Sequence, residues 1–311
     1  MKPHPSWICI FLIASVVALG TPVCAAQSVF QIAWPTRKGA PPPAFPKPAS
    51  DFLPAFRAGL AVLPESEVVA LALSQPAFLG LTPDSANELR ELCARRYRII
   101  LNDPVFGRVP SALPYCYSPR TPTNGLALVY RPKETGTNTH CLLFLHGFGG
   151  SFLWTPQLLS EAFPDHIIIC PAYGVSTALI QSDYVSECLA AVEGSVGHSL
   201  ARPSLIGLSA GGFGATRIYT QSPDRFRQLV VIAAYPPPET LGRFNRKTSV
   251  HFIVGAHEDY VLSGAFDRNM QSIRPRSDHF ESYIIPNANH FFVLSHQDEA
   301  FKVLHRWLDL P

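Results

Sequence analysis

From Asn124 onward the chain alternates short apolar runs with longer amphipathic segments, and this alternation limits its architecture more than any other feature. The runs are LALVY (126–130), CLLFLH (141–146), HIIIC (166–170), SLIGL (204–208), LVVIAA (229–234), VHFIVG (250–255) and ESYIIP (281–286). Most are continuously apolar, as in strands covered on both faces. Between them, residues 155–162, 182–200, 211–221 and 264–272 read as helices, with a last one over 299–308. Strand and helix in turn predict an α/β chain with a mostly parallel, doubly wound sheet. No internal repeat is visible.

The residues before Asn124 have a different character. WPTRKGAPPPAFPKPAS (34–50) lacks too many backbone donors for regular structure, so residues 27–51 are expected to form an extended tether. LPESEVVALALSQP and TPDSANELRELCARRYRIIL read as helices, the second opening on Thr82-Pro83-Asp84 with a cap and a first-turn proline. A proline-rich loop over 102–123 follows. Residues 52–123 are therefore a helical extension, a small subdomain or a covering for the α/β domain at 124–311.

The first residues carry an export pattern. Lys2 precedes an apolar stretch over 7–19, too short to span a bilayer comfortably, and Val23 and Ala25 stand at the −3 and −1 places of an A-x-A-like exit. Cleavage is expected near Ala25 or Ala26, giving a secreted or periplasmic protein with no stable membrane insertion afterwards. Beyond this leader five cysteines remain: Cys93, Cys116, Cys141, Cys170 and Cys188. An oxidising compartment permits one or two disulfides, and the odd count leaves a thiol unpaired within the monomer. Cys141 and Cys170 lie in apolar runs and read as small core hydrophobes. Cys93 with Cys116 is the pair to test first.

Lysine and arginine total 25 against 23 acidic residues, a net charge of +2, with no basic run to track a phosphate backbone. Nucleic acid is not an expected partner. His251, His257, Glu258 and His279 are scattered, without the H-E-x-x-H spacing that puts ligands on one helix face, and no cofactor or metal is expected.

GLSAG, Gly207 to Gly211, matches G-x-S-x-G. The pattern is short enough to arise by chance, but here it follows a buried-type strand and opens a helix. That setting forces a serine onto a sharp bend with its hydroxyl exposed. At this point the chain resembles the α/β-hydrolase family. The resemblance implies a nucleophile, an acid and a histidine in that chain order, each following a strand. Ser209 is the implied nucleophile. His290, in YIIPNANHFF just past a strand, is the implied general base, with His296 a poorer substitute.

VHFIVGAHEDYVLS offers two acids. Counting three from Gly255, as the family's G-x-x-D pattern does, selects Glu258, whereas aligning DYVLS with the family's downstream tail selects Asp259. Asp259 is favoured, because a short buried carboxylate fixes the imidazole in most members, and Glu258 is the alternative. Asp267 falls within the next helix. HGFGG (146–150) resembles the family's oxyanion loop, which implies donors at the Phe148 and Ala210 backbone N–H groups and a structural role for His146. It lacks both the P-loop ending and the full dinucleotide spacing.

The resemblance covers about residues 124–308. It implies a serine hydrolase of carboxylic esters, acting through a Ser-His-Asp triad and an acyl-enzyme, with a small ester or a polymer end as substrate. A peptidase, an acyltransferase or a non-catalytic binding protein on the same fold are the alternatives. Only about fifteen residues separate LVVIAA from VHFIVG, so no large cap is inserted there, and the site is expected to be open unless the N-terminal helices cover it.

Overall fold

A computed structural model describes residues 27–47, 49–76, 81–235, 240 and 242–309. The export signal assigned to residues 1–26, and 236–239 of the YPPPET turn, lie outside the described residues.

Eight strands form one sheet in the order β1-β2-β4-β3-β5-β6-β7-β8. They are β1 (Ser28–Pro35), β2 (Asn124–Arg131), β3 (Cys141–Leu145), β4 (Ile167–Ala172), β5 (Ser204–Leu208), β6 (Leu229–Ile232), β7 (Ser249–Gly255) and β8 (His279–Ile285). β1 and β2 run antiparallel to their neighbours, and the other pairings are parallel. The doubly wound sheet expected from the apolar runs is therefore present, and β3, β4 and β6 are buried along their whole length.

Side chains divide by strand parity. Leu143, Leu145, Leu205, Val231 and Phe252 face one side of the sheet, under α6 (Ser182–Val196), α7 (Ala210–Gln221) and α9 (Ala265–Ile273). Leu142, Phe144, Ile206, Val230 and Ile253 face the other. That side is covered by α5 (Trp154–Ala162), the one-turn α10 (Phe292–Ser295), α11 (Gln297–Leu308) and four N-terminal helices. These are α1 (Ala49–Val62), α2 (Glu65–Leu73), α3 (Pro83–Asn102) and α4 (Leu113–Cys116). The N-terminal helices thus share a core with the sheet. Among the described residues no helix is long and apolar enough to cross a membrane.

Helix α3 begins where its cap residue places it, with Thr82 Oγ1 accepting from Ser85 N–H at 3.2 Å. Its buried Cys93, Arg96, Tyr97 and Ile100 recur at helical spacing. Arg96 can be buried because every direction it points meets an acceptor: Gln157 and Glu161 on α5 and Gln297 on α11.

Two expectations need correction. Residues 28–35 are not part of a tether but an edge strand, in register from Ser28 opposite Arg131 to Pro35 opposite Asn124. Pro35 is tolerated because it closes an edge strand. Trp34 anchors it, lying so close over Gly125 that a Cβ there would sit 2.1 Å from the indole. Beyond it the proline segment is pinned, with Thr36 Oγ1 donating to Glu187 at 2.5 Å and Ala40 buried. The tether then gives way to α1 at Ala49, despite Pro54 within that helix.

The second correction concerns the cysteines. Among the described residues all five are free and buried, Cys93 and Cys116 included. Burial pushes both of those thiols up to about 12, which keeps them protonated and unreactive.

Candidate active site

The central strand β5 stops at Leu208, and the next residue, Ser209, takes φ 52° and ψ −119° before α7 begins at Ala210. A positive φ at a non-glycine residue costs on the order of 1–3 kcal/mol and persists only where its surroundings impose it. Here the flanking glycines impose it. A Cβ on Gly207 would lie 2.4 Å from the Gly211 carbonyl oxygen, and one on Gly211 would lie 2.2 Å from the Leu145 carbonyl oxygen. Ser209 N–H donates to the Ile232 carbonyl at 2.7 Å, fixing the bend to β6.

His290 lies in the turn after β8, where Asn287 adopts φ 55°. Asn289 Oδ1 accepts from Phe291 N–H at 2.9 Å, and the Asn289 amide donates to Glu88 of α3 at 2.8 Å. The end of β7 is stitched to the same turn by His257 N–H donating to the Ala288 carbonyl at 2.8 Å. These bonds bring together residues 81 apart: His290 Nε2 is 2.9 Å from Ser209 Oγ.

On the other side of the imidazole, Nδ1 is 3.0 and 3.1 Å from the two carboxylate oxygens of Glu258. A carboxylate only accepts, so the proton belongs on Nδ1, and Nε2 is left to accept from the serine hydroxyl. The favoured acid, Asp259, is not brought to His290. It is exposed and forms the first residue of the short helix α8 (Asp259–Leu262), while Glu258 is only 8% exposed. The reason is local. The chain leaves β7 at Gly255, and Glu258 holds the extended residue before α8, with φ −71° and ψ 135°. Helix geometry then turns the following side chain away, and the longer glutamate arm spans the gap. Asp267 is exposed on α9, and His296 bonds to Ser295 Oγ instead.

After β3, residues 146–150 fold against the bend, so that a Cβ on Gly147 would lie 3.3 Å from Ser209 Cβ. Gly149 and Gly150 have φ 106° and 114°, and Gly149 N–H is committed to the Val175 carbonyl at 2.7 Å. Phe148 and Ala210 stand on either side of this contact, on the loop and at the first helical position, where an α-helix leaves its N–H groups unspent. His146 is buried and holds the loop. Its Nδ1–H donates to the Gly147 carbonyl at 2.8 Å, and Nε2 accepts from Tyr173 N–H at 3.3 Å.

Burial lowers His146 to about 4, and His166 and His251 are likewise held at about 4. The unfolded value is about 6.5. The stability these neutral groups confer is therefore complete above about pH 6.5 and is lost as pH falls towards 4. His146 and His251, the two most deeply buried, should each contribute up to about 2 kcal/mol of loss by pH 5. Calorimetry is expected to show Tm falling between pH 7 and pH 5, and an unchanged or rising Tm would overturn the neutral assignment.

One residue behind the site gave no sign in the sequence. Glu65, at the start of α2, is buried among Tyr97 Oη (2.7 Å), Ser111 Oγ and the N–H of Leu153 (2.7 Å), and burial raises its pKa. It joins the helical layer to the segment leaving the 146–150 loop. Read in sequence, it is an ordinary first-turn acid. α4 reaches the same loop, since a Cβ on Gly150 would lie 2.8 Å from Leu113 Cδ2.

Beside Ser209 opens a cavity of about 310 Å³. The 146–150 loop, Ser209 and His290 form one end, and side chains of α1 to α4 form much of the rest. The N-terminal helices therefore do wall the site.

No protein-family model matches the chain. A pimeloyl-[acyl-carrier protein] methyl ester esterase of Chromobacterium violaceum is 27% identical over 138 residues, 42% of this chain and 50% of that protein. One of the same description from Nitrosomonas europaea is 34% identical over 108 residues, 33% of this chain and 40% of that protein. The chain thus spans about half the length of these curated relatives, or less. Among solved structures, an esterase of Pyrococcus furiosus superposes with a TM-score of 0.47 at 12% identity, covering 60% of this chain and 87% of that one.

Proposed function

We propose that this chain is a serine hydrolase of the α/β-hydrolase superfamily that cleaves carboxylic esters with Ser209, His290 and Glu258. The observation that carries the proposal is the continuous relay from Ser209 Oγ through both imidazole nitrogens to a buried carboxylate. Packing alone requires no such alignment.

In this reading Ser209 Oγ attacks the ester carbonyl carbon while its proton passes to His290 Nε2. The carbonyl π pair moves onto oxygen, and the N–H groups of Phe148 and Ala210 bind the resulting oxyanion. Each such donor contributes about 3 kcal/mol to the transition state. Collapse expels the alcohol oxygen, which takes the proton back from His290. Water then repeats the sequence on the acyl-enzyme, with His290 again base and then acid. Glu258 accepts from Nδ1–H throughout and stabilises the imidazolium.

The reading includes export, on the pattern of Lys2, the apolar stretch and Ala25-Ala26. Buried, protonated thiols are compatible with an oxidising compartment. The test uses protein recovered from the periplasm or medium, where its first residue is expected near Ala26. A fluorophosphonate should label it stoichiometrically at Ser209, and peptide mapping reads the site. Absence of label on folded protein would sink the hydrolase reading, and a full-length chain retained in the cytosol would sink export.

A further inference from the structure

We infer that the cavity beside Ser209 is a binding site for an uncharged alkyl acyl chain of medium length, with the N-terminal helices as its wall. The inference rests on the hydrolase reading above and names its substrate class. Four elements outside the catalytic strand ends supply the lining: Phe56 from α1, Val69 and Leu73 from α2, Leu89 from α3, and Leu113 from α4, with Tyr117 just after α4. No Lys, Arg, Asp or Glu lines it among the described residues. A charged tail would lie there without a partner, at a cost that an alkyl chain does not meet.

Size follows from volume. About 310 Å³ lies at the small end of the roughly 300–1,000 Å³ of small-molecule sites, which suits a medium-length chain and not a long one.

The cavity has a closed end and an open one, and this assigns the acyl rather than the alcohol half. Val69, Leu73 and Cys93, on α2 and α3, are buried in the core. At the catalytic end Phe148 is 51% exposed and the His290 side chain 39% exposed. The alcohol receives its proton from His290 and must leave, so it belongs at the open rim. The acyl group stays bonded to Ser209 until water arrives, and it belongs in the closed end.

The test measures kcat/KM for 4-nitrophenyl esters from acetate to dodecanoate, with Ala72→Phe and Leu89→Ala beside the wild type. Both positions line the cavity, are only half-buried and lie outside the catalytic machinery, so folded protein is expected. Each buried methylene can raise kcat/KM about fourfold. A gain of at least tenfold from acetate to hexanoate is expected, with a fall beyond decanoate. Ala72→Phe should move the optimum to shorter chains, and Leu89→Ala should move it to longer ones.

A profile flat from acetate, or one unmoved by Ala72→Phe, would overturn the inference while leaving the hydrolase reading intact. So would a gain found only when the alcohol is lengthened. A second measurement is independent of turnover: calorimetric titration of Ser209→Ala protein with octanoate and with acetate. Octanoate should bind at least tenfold tighter, and Ala72→Phe should remove the difference. That result without hydrolysis of any ester would defeat the hydrolase reading alone, and equal binding of the two acids would defeat the inference.

Discussion

Ser209→Ala is expected to lower kcat by about 10⁶ while leaving Tm within a degree or two of the wild type. The nucleophile contributes its hydroxyl to one hydrogen bond, with His290, while the backbone bond from its N–H to Ile232 and the glycine contacts of the bend remain in the variant. Alanine has the same Cβ as serine and can be held at the same φ. His290→Ala should cost about as much as Ser209→Ala, and the double variant little more than either, because the two groups act in one step. Steady-state kinetics on a chromogenic ester, with calorimetry as the folding control, reads both quantities. A loss below about tenfold in folded Ser209→Ala protein would mean that another group carries the reaction.

The second large effect separates two adjacent acids. Glu258→Gln should lower kcat by about 10⁴, since an amide in that place no longer holds a full charge against the imidazolium and can orient the ring in the wrong tautomer. Asp259→Asn should remain within about twofold, because that side chain is exposed at the start of α8. Near-isosteric changes keep packing constant, so the comparison reads charge and hydrogen bonding rather than bulk. Equal activity in both variants, or the opposite order, would defeat the assignment of Glu258.

That pair of residues marks where the sequence stops being informative. Strands β3 to β7 were legible because a strand covered on both faces must be apolar throughout. The bend at Ser209 was legible because strand, glycine, serine, glycine and helix are covalent neighbours. Glu258 and Asp259 are also neighbours, yet which one meets His290 depends on how β7 and β8 end relative to each other, set by bonds such as His257 N–H to Ala288. A one-residue register of that kind has no local signature.

β1 escaped for another reason. Its eight residues border a proline-rich stretch whose composition dominates the reading, while its partner residues in β2 lie 89 to 103 positions away. The cavity lining was hidden more thoroughly. Val69, Leu73 and Leu89 read as the apolar face of amphipathic helices, which they are, and only the packing of α1 to α4 over the sheet turns that face towards Ser209. Glu65 and Arg96 were likewise unreadable, because a buried charge is recognised by the partners that satisfy it, and those partners are distant in sequence.

The shared wall restricts how this protein can change. Val69, Leu73, Cys93, Leu113 and Tyr117 border the cavity and at the same time belong to the core that covers one face of the sheet. In many architectures a loop can vary freely while the scaffold stays intact. Here a leucine-to-alanine exchange that enlarges the cavity costs about 2–5 kcal/mol, against a total stability of about 5–15 kcal/mol for a typical domain. Large shifts in chain-length preference therefore require compensating substitutions elsewhere first. Descendants of this sequence with altered taste in acyl groups should differ more at half-buried positions such as Ala72 and Leu89 than at the buried ones behind them.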